Sequence, residues 1–294
     1  MWSLLRQLAL DVTPLEVSPS SDWCQRWRDG RPHWRHRSEG GFDAARYEVA
    51  PLDDRTAKAY VERHHYARSY VASRLRYGLW ERRGALLGVA VLSVPVRRAV
   101  LTTPFPELEP FQESLELGRF VLADRAPANA ESWFLAQLFR LAGREGIRGV
   151  VSFSDPVARR DAVGRLVFPG HIGVIYQAAN ALYAGRGTAR TVLVLPDGRV
   201  LNERALAKLR ALDTGHAYVE TLLRGFGAPP RRGADPTEWL PRALAAAGVR
   251  RLRHPGNHRY LFQLGDRAAR RSILVALPSL PYPKGTDQPT ELAA

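Results

Sequence analysis

The sequence predicts an α/β fold built on a central mixed sheet, with an N-terminal extension and an α+β C-terminal region. Three observations carry this. The apolar run Gly149–Ser154 reads as a strand that delivers Asp155 at its end, where α/β folds expose functional groups. Leu75 to Trp80 and Leu86 to Val94 flank the polar residues Glu81 to Gly84 and read as a hairpin. Between such runs lie segments with helical periodicity and recognisable starts.

Taken in order, Arg46 to Val49 is a short strand. Asp53 or Asp54 then caps a helix running to about His65, with Ala57, Tyr60 and Val61 on one face. After the hairpin and a proline-rich loop at 95–110, Ser114 to Ala123 reads as another strand. A helix follows from about Ala130 to Gly143, with Asn129 as its cap and Trp133, Phe134, Leu138 and Leu141 on its buried side. Beyond Asp155, Tyr176, Asn180 and Tyr183 fall at helical spacing and are expected on one helix. Further on, Thr191 to Leu195 reads as a strand and Pro196-Asp197-Gly198 as a turn. Asn202, Thr214 and Asp235 begin helices, Gly225 to Asp235 is a surface loop, and Pro255-Gly256 turns into the strand Tyr260 to Leu264. This order is that of a small acyltransferase-like α/β fold. It divides the chain into an extension at 1–44, a core at 45–195 and a C-terminal extension at 196–294 packed on that core, with a mobile tail.

Composition narrows the function classes. A chain of 294 residues, 45% hydrophobic, buries a proper core. Cys24 stands alone, which excludes a disulfide framework within the chain and suits a reducing cytoplasm. No apolar run reaches membrane-spanning length, so no membrane partner is expected. The net charge of +14 points to an anionic partner, with nucleic acid the leading candidate. Only Lys58, Lys208 and Lys284 are lysines, and the planar fork of arginine suits phosphate and guanine edges; a GC-rich genome also inflates arginine. The Trp- and Arg-bearing segment before residue 44 either stacks on nucleic acid or, as its tryptophans favour, wraps back on the core.

Candidate site residues gather around Asp155. His171 and Tyr176 follow it closely, and His65-Tyr66 ends the first helix. Neighbouring side chains diverge, so His65 rather than both His64 and His65 is taken as functional. Glu116 and Arg119 stand three apart on a strand and are therefore expected on opposite faces. His254, His258 and Arg259 either reach phosphate or belong to the turn and strand around Pro255-Gly256.

The segments SEGGFDAARYEV, HHYARSY, residues 84–95, LELGRFVLAD, SFSDP, GHIGVIYQAANALYAG and HPGNHRY, in this order from about Ser38 to Tyr260, resemble the Mom family of bacteriophage DNA-modification proteins. The resemblance implies a fold similar to GCN5-related N-acyltransferases and conversion of DNA adenine to N6-carbamoylmethyladenine, which protects phage DNA from restriction. It also implies iron, and double-stranded DNA as the partner. The family's His-Tyr pair falls on His65-Tyr66, its strand-end aspartate on Asp155, its tyrosine on Tyr176, and its Glu-x-x-Arg on Glu116 and Arg119; Asn180 shares the Tyr176 segment. His65, Asp155 and His171 are the expected metal ligands, a two-His, one-carboxylate set. In that reading Asp155 accepts from or orients the adenine N6 amine.

Two other function classes compete. The first is a CoA-dependent N-acetyltransferase of a small amine or protein. Such enzymes hold pyrophosphate on a [Q/R]-x-x-G-x-[G/A] loop at a helix N-terminus. Here that loop is Arg125 to Ala130, with Ala128 for glycine and with Pro127 lacking an N–H, so acetyl-CoA is a doubtful donor; Asn129 and Ser132 are the residues placed for any cofactor. The second is a noncatalytic DNA-binding protein, which explains the charge but not the polar and aromatic residues near Asp155.

Overall fold

The computed structural model describes residues 23–39 and 41–284. The described residues open with an antiparallel hairpin of β1 (Trp23–Arg28) and β2 (Arg31–His36), joined through Asp29 and Gly30, both at positive φ, the turn whose twist matches a hairpin. Then come β3 (Tyr47–Pro51), α1 (Asp54–His64), β4 (Ser73–Glu81), β5 (Leu86–Ser93), the short α2 (Ala99–Thr102), β6 (Ser114–Leu122), α3 (Ala130–Arg144) and β7 (Gly149–Ser154). A small hairpin of β8 (Arg159–Arg160) and β9 (Leu166–Phe168) precedes α4 (Val174–Ala178) and β10 (Leu182–Arg186). The remainder is β11 (Arg190–Val194), β12 (Val200–Leu201), α5 (Glu203–Ala211), α6 (Ala217–Gly225), α7 (Pro236–Ala246), β13 (Arg250–His254), β14 (His258–Gln263) and α8 (Arg267–Arg271).

Seven strands form one mixed sheet in the order β10-β14-β7-β6-β5-β4-β3. Each strand contributes alternate residues to two faces. On one face Leu87, Ala90 and Leu92 of β5 pack with Phe134, Leu135 and Leu138 of α3. On the other, Val89 and Val91 meet Ala57 and Val61 of α1. The apolar spacing of both helices was legible because each buries a single stripe against the sheet. Asp53 caps α1, its carboxylate accepting from the Thr56 N–H at 2.9 Å. Asn129 precedes α3 in a left-handed conformation and makes no side-chain cap.

One junction of the sheet sets the stage for function. β6 and β7 run parallel, and their register covers only Ser114–Leu117 against Gly149–Ser152. Beyond that point β6 stays paired with β5 alone, so the two parallel strands part and leave a slot between Gly118 and Ser154. Gly118 is a bulge: Val91 faces Arg119 while Leu92 faces Leu117, and a Cβ on Gly118 would lie 2.2 Å from the Ser93 hydroxyl. The bulge resets the alternation. Glu116 and Arg119 therefore share a face, contrary to the expectation from their spacing, and each feels the charge of the other.

The N-terminal hairpin wraps onto the core. The Trp27 carbonyl accepts from the Asp124 N–H at 3.2 Å, and Trp27 itself is 7% exposed. Arg26 is fully buried at the start of α3: it donates to the carbonyls of Ala126 (3.2 Å) and Pro127 (2.5 Å) and pairs with Glu131 in the first helical turn. Burial lowers the guanidinium to about 10, so it stays charged at neutral pH. Arg26→Ala is expected to cost about 3 kcal/mol or more, because it strands a carboxylate and two carbonyls away from water. Urea midpoints of the two proteins measure this, and an unchanged midpoint would remove the ion pair from the fold's supports.

Between β10 and β14 lies a separate layer. β12, β11 and β13 form a three-stranded sheet in that order, and α5, α6 and α7 cover it with a core of Leu206, Leu209, Val219, Leu223, Trp239 and Leu240. Asn202 and Asp235 cap α5 and α7 as expected. Thr214 does not begin α6, which starts at Ala217 without a side-chain cap. No helix among the described residues is long and apolar enough to cross a membrane.

Candidate active site

Four segments bring the candidate residues toward the point where β6 and β7 part. Glu116 and Arg119 come from β6, the strand end with Asp155 from β7, His65-Tyr66 from the end of α1, and His171 and Tyr176 from the segment entering α4. The chain leaves α1 at His65, whose backbone turns to extended conformation while its N–H still closes the last helical bond to Val61 at 2.9 Å. The His65 ring is buried, and its Nδ1 accepts from the Ala67 N–H at 3.1 Å. That bond places the proton of a neutral ring on Nε2. Burial, assisted by Arg119, His171 and Arg159, holds the His65 pKa well below its ordinary value. His171 is lowered to about 4 by burial and the Arg159 charge, against the opposing pull of Asp155.

Aromatic rings form the floor. Tyr66 stacks on Phe168 at 4.1 Å between centroids and lies 5.2 Å from Trp27, and its neighbour His65 sits 4.2 Å away. The Arg159 guanidinium covers Phe168 at 4.2 Å. Burial, with the Asp155 charge, pushes the Tyr66 hydroxyl up to about 12.

Asp155 is fully engaged. One oxygen accepts from His254 Nε2 and from the Val157 N–H, both at 3.0 Å, and the other pairs with Arg159; its own carbonyl accepts from the His171 N–H at 2.8 Å. His254 is oriented in turn, since its Nδ1 accepts from the Gly256 N–H at 3.0 Å and leaves Nε2 to donate. Burial disfavours the charge on Asp155, but the His254 hydrogen bond and the Arg159 charge outweigh it and hold the carboxyl below the usual carboxylate range. A carboxylate so held, with both oxygens taken, is a poor proton acceptor.

Glu116 is the opposite case. Burial raises its pKa, with Arg119 only partly opposing, and no hydrogen bond or ion pair reaches its carboxylate among the described residues. Arg119 instead donates to the carbonyl and hydroxyl of Ser69, at 2.8 and 3.0 Å. Tyr176 lies beside Ser152; burial raises its hydroxyl pKa and the Glu116 charge adds to the shift. Glu116 thus sits one residue before the parallel strands part, buried and without a partner, the environment of a candidate general base.

Several expectations need correction. Asn180 and Tyr183 do not share a helix with Tyr176. The helix ends at Ala178, Asn180 takes a left-handed turn and is exposed, and Tyr183 lies in β10 with its hydroxyl 2.8 Å from His258 Nδ1. Asn180 is therefore away from the slot; its tolerance of positive φ, which ends the helix, was the signal available. His254 and His258 are 2% and 0% exposed and cannot meet phosphate directly. Among the described residues no group of three His, Cys, Asp or Glu side chains is placed to hold a metal. His65, Asp155 and His171 fail as an iron site because Arg159 and His254 occupy the Asp155 oxygens and the Ala67 N–H occupies His65 Nδ1.

The cofactor loop also fails to fit. Ala126 and Pro127 turn their carbonyls to Arg26, Glu131 places a carboxylate in the first turn of α3, and Ser132 donates to the Asn129 carbonyl at 3.2 Å. Asn129 and Ser132 serve the turn, and the helix terminus that would attract a pyrophosphate is already answered by a carboxylate.

The buried histidines make the fold acid-sensitive. Unfolded, they bind protons near 6.5, while the folded chain keeps His171 neutral to about 4 and His65 likewise below its ordinary range. Stability is therefore full above the unfolded pKa and falls as pH drops from 6.5 toward 4. His171 alone should cost roughly 2 kcal/mol between pH 7 and 5. Urea midpoints at the two pH values, for the wild type and for His171→Gln, measure that share; equal slopes would show that His171 is not held neutral.

The comparisons agree with this architecture at the level of family. The chain belongs to the Mom protein family, a family of phage DNA-modification proteins, whose model matches residues 46–284 and so spans both the slot and the inserted layer. No curated protein matches the chain. Among solved structures, a protein assigned as a phosphinothricin N-acetyltransferase is 12% identical, covering 51% of this chain and 86% of its own, with a TM-score of 0.29. A tandem GNAT protein from the clavulanic acid biosynthesis pathway is 10% identical, covering 75% and 99%, with a TM-score of 0.37. Neither superposition is close enough to carry a functional argument.

Proposed function

We propose that this chain modifies adenine in DNA by transferring a carbamoylmethyl group to the N6 amine. Family membership supports DNA as the substrate, and the observation that carries the chemistry is the unpartnered Glu116 carboxylate where β6 and β7 part. The N6 lone pair is delocalised into the purine ring, so transfer requires both positioning and removal of a proton. In the step proposed, the amine nitrogen bonds to the methylene carbon of an activated donor. The leaving group departs with the electrons of the broken bond, the amine proton passes to Glu116, and Tyr176 protonates the departing group. A duplex hides the amine, so the base must leave the stack. His65, Arg119 and Asp155 act as positioning residues around these groups.

Nucleoside mass spectrometry of DNA from cells producing the full chain tests the reading. Carbamoylmethylated deoxyadenosine is the expected result, and unmodified DNA would overturn it. Acetyl-CoA is the donor least compatible with the Arg26-filled loop, and calorimetry should detect no CoA binding; tight binding would revive the acetyltransferase reading.

A further inference from the structure

We infer that the exposed edge strand β13 is the phosphate-binding track that holds duplex DNA beside the slot, an inference that rests on the proposed action on DNA. β13 is Arg250-Arg251-Leu252-Arg253-His254, and it pairs with β11 on one side only, at the outer edge of the small sheet. Alternation divides its side chains. Arg250, Leu252 and His254 share the inner face, where Arg250 donates to the Arg160 carbonyl at 2.9 Å and His254 donates to Asp155 at 3.0 Å. Arg251 and Arg253 share the other face, both exposed, opposite Leu193 and Thr191 of β11 and about 7 Å apart.

These two arginines differ from the ion-paired arginines around the catalytic sheet. Arg28 is neutralised by Asp124, Arg46 by Glu81, Arg63 by Asp29 and Arg148 by Glu113. Neither Arg251 nor Arg253 has an acidic partner among the described residues. The layer that carries them, residues 190–254, holds twelve Arg or Lys against six Asp or Glu. An edge strand with a row of unpaired cations is open both electrostatically and sterically to a polyanion. The inner-face anchors fix its position: the residue that follows Arg253 is the hydrogen-bonding partner of Asp155 at the end of β7. DNA lying along Arg251 and Arg253 is therefore delivered next to the slot, with its phosphates on one layer and the extruded base in the other.

The test is fluorescence anisotropy of a labelled duplex across a salt series, with the wild type, Arg251→Gln/Arg253→Gln, and the control Arg82→Gln/Arg83→Gln on the distant β4–β5 turn. Glutamine keeps part of each stem and removes the charge. The edge variant is expected to weaken binding at least tenfold at low salt and to reduce the slope of log K against log salt by roughly two. The control, with the same loss of charge, should change both far less, and circular dichroism should show all three proteins folded. Equal behaviour of the edge variant and the wild type overturns the track while leaving the proposed modification standing, as does an equal loss in both variants. If the wild type neither binds duplex nor modifies adenine, the proposed function itself fails.

Discussion

Replacing Glu116 by Gln is expected to lower adenine modification by roughly 10²- to 10⁴-fold while leaving the melting temperature and duplex affinity close to wild type. The substitution keeps size and hydrogen-bonding capacity but removes the only basic site of that side chain. Because no hydrogen bond or ion pair among the described residues holds the Glu116 carboxylate, little stability is at risk: the relief of burying its charge is set against the lost attraction to Arg119, which keeps its bonds to Ser69. The rate of the wild type should fall as pH drops through the raised pKa of this carboxylate, and the variant should lose that limb of the profile. Nucleoside mass spectrometry, combined with single-turnover rates on a duplex, separates this outcome from a binding defect. A variant that modifies DNA at the wild-type rate would remove Glu116 from proton transfer and shift attention to His171, whose ring is also neutral at physiological pH.

Much of the frame around that residue was legible in the sequence, and the reasons are local. Gly149–Ser154 is an unbroken strand because it is buried on both faces, so its apolar run had no competing reading. Asp53, Asn202 and Asp235 announced helix starts through caps that act within three residues. What was not legible depends on contacts between distant residues or on a one-residue defect. The Gly118 bulge, which brings Glu116 and Arg119 to one face, exists because Ser93 of the neighbouring strand approaches the glycine closely. The pairing of Asp155 with His254 spans 99 positions. Arg26 looked like one more cation in a basic extension, and only the fold shows it buried against Glu131. The short helix at Val174–Ala178 was misjudged because Tyr176, Asn180 and Tyr183 keep helical spacing even though the backbone turns at Asn180.

Asp155→Asn is expected to be costly in stability, by about 3 kcal/mol or more, and modest in its effect on the chemical step. Asp155 and Arg159 have side chains only 14% and 6% exposed, so the substitution leaves a buried guanidinium without its counter-charge. The asparagine amide can still meet one neighbour, but its NH₂ group opposes either Arg159 or the His254 Nε2–H, both donors. The depressed folded pKa of Asp155 means that its contribution is complete above the unfolded value of 3.8 and is lost only as pH falls below it. The full penalty therefore applies at neutral pH, whereas the histidines dominate the window from 6.5 to 4. Urea unfolding measures the cost, and the double variant Asp155→Asn/Arg159→Met identifies its source. If the uncompensated guanidinium is responsible, the second substitution should recover a substantial part of the loss, since an apolar side chain there packs on Phe168 without a charge to bury. At temperatures where Asp155→Asn remains folded, adenine modification should stay within about tenfold of wild type, because a held carboxylate positions His254 and Arg159 but does not take the proton. The opposite pattern, unchanged stability with modification abolished, would make Asp155 the proton acceptor after all and would require its ion pair with Arg159 to open when DNA is bound.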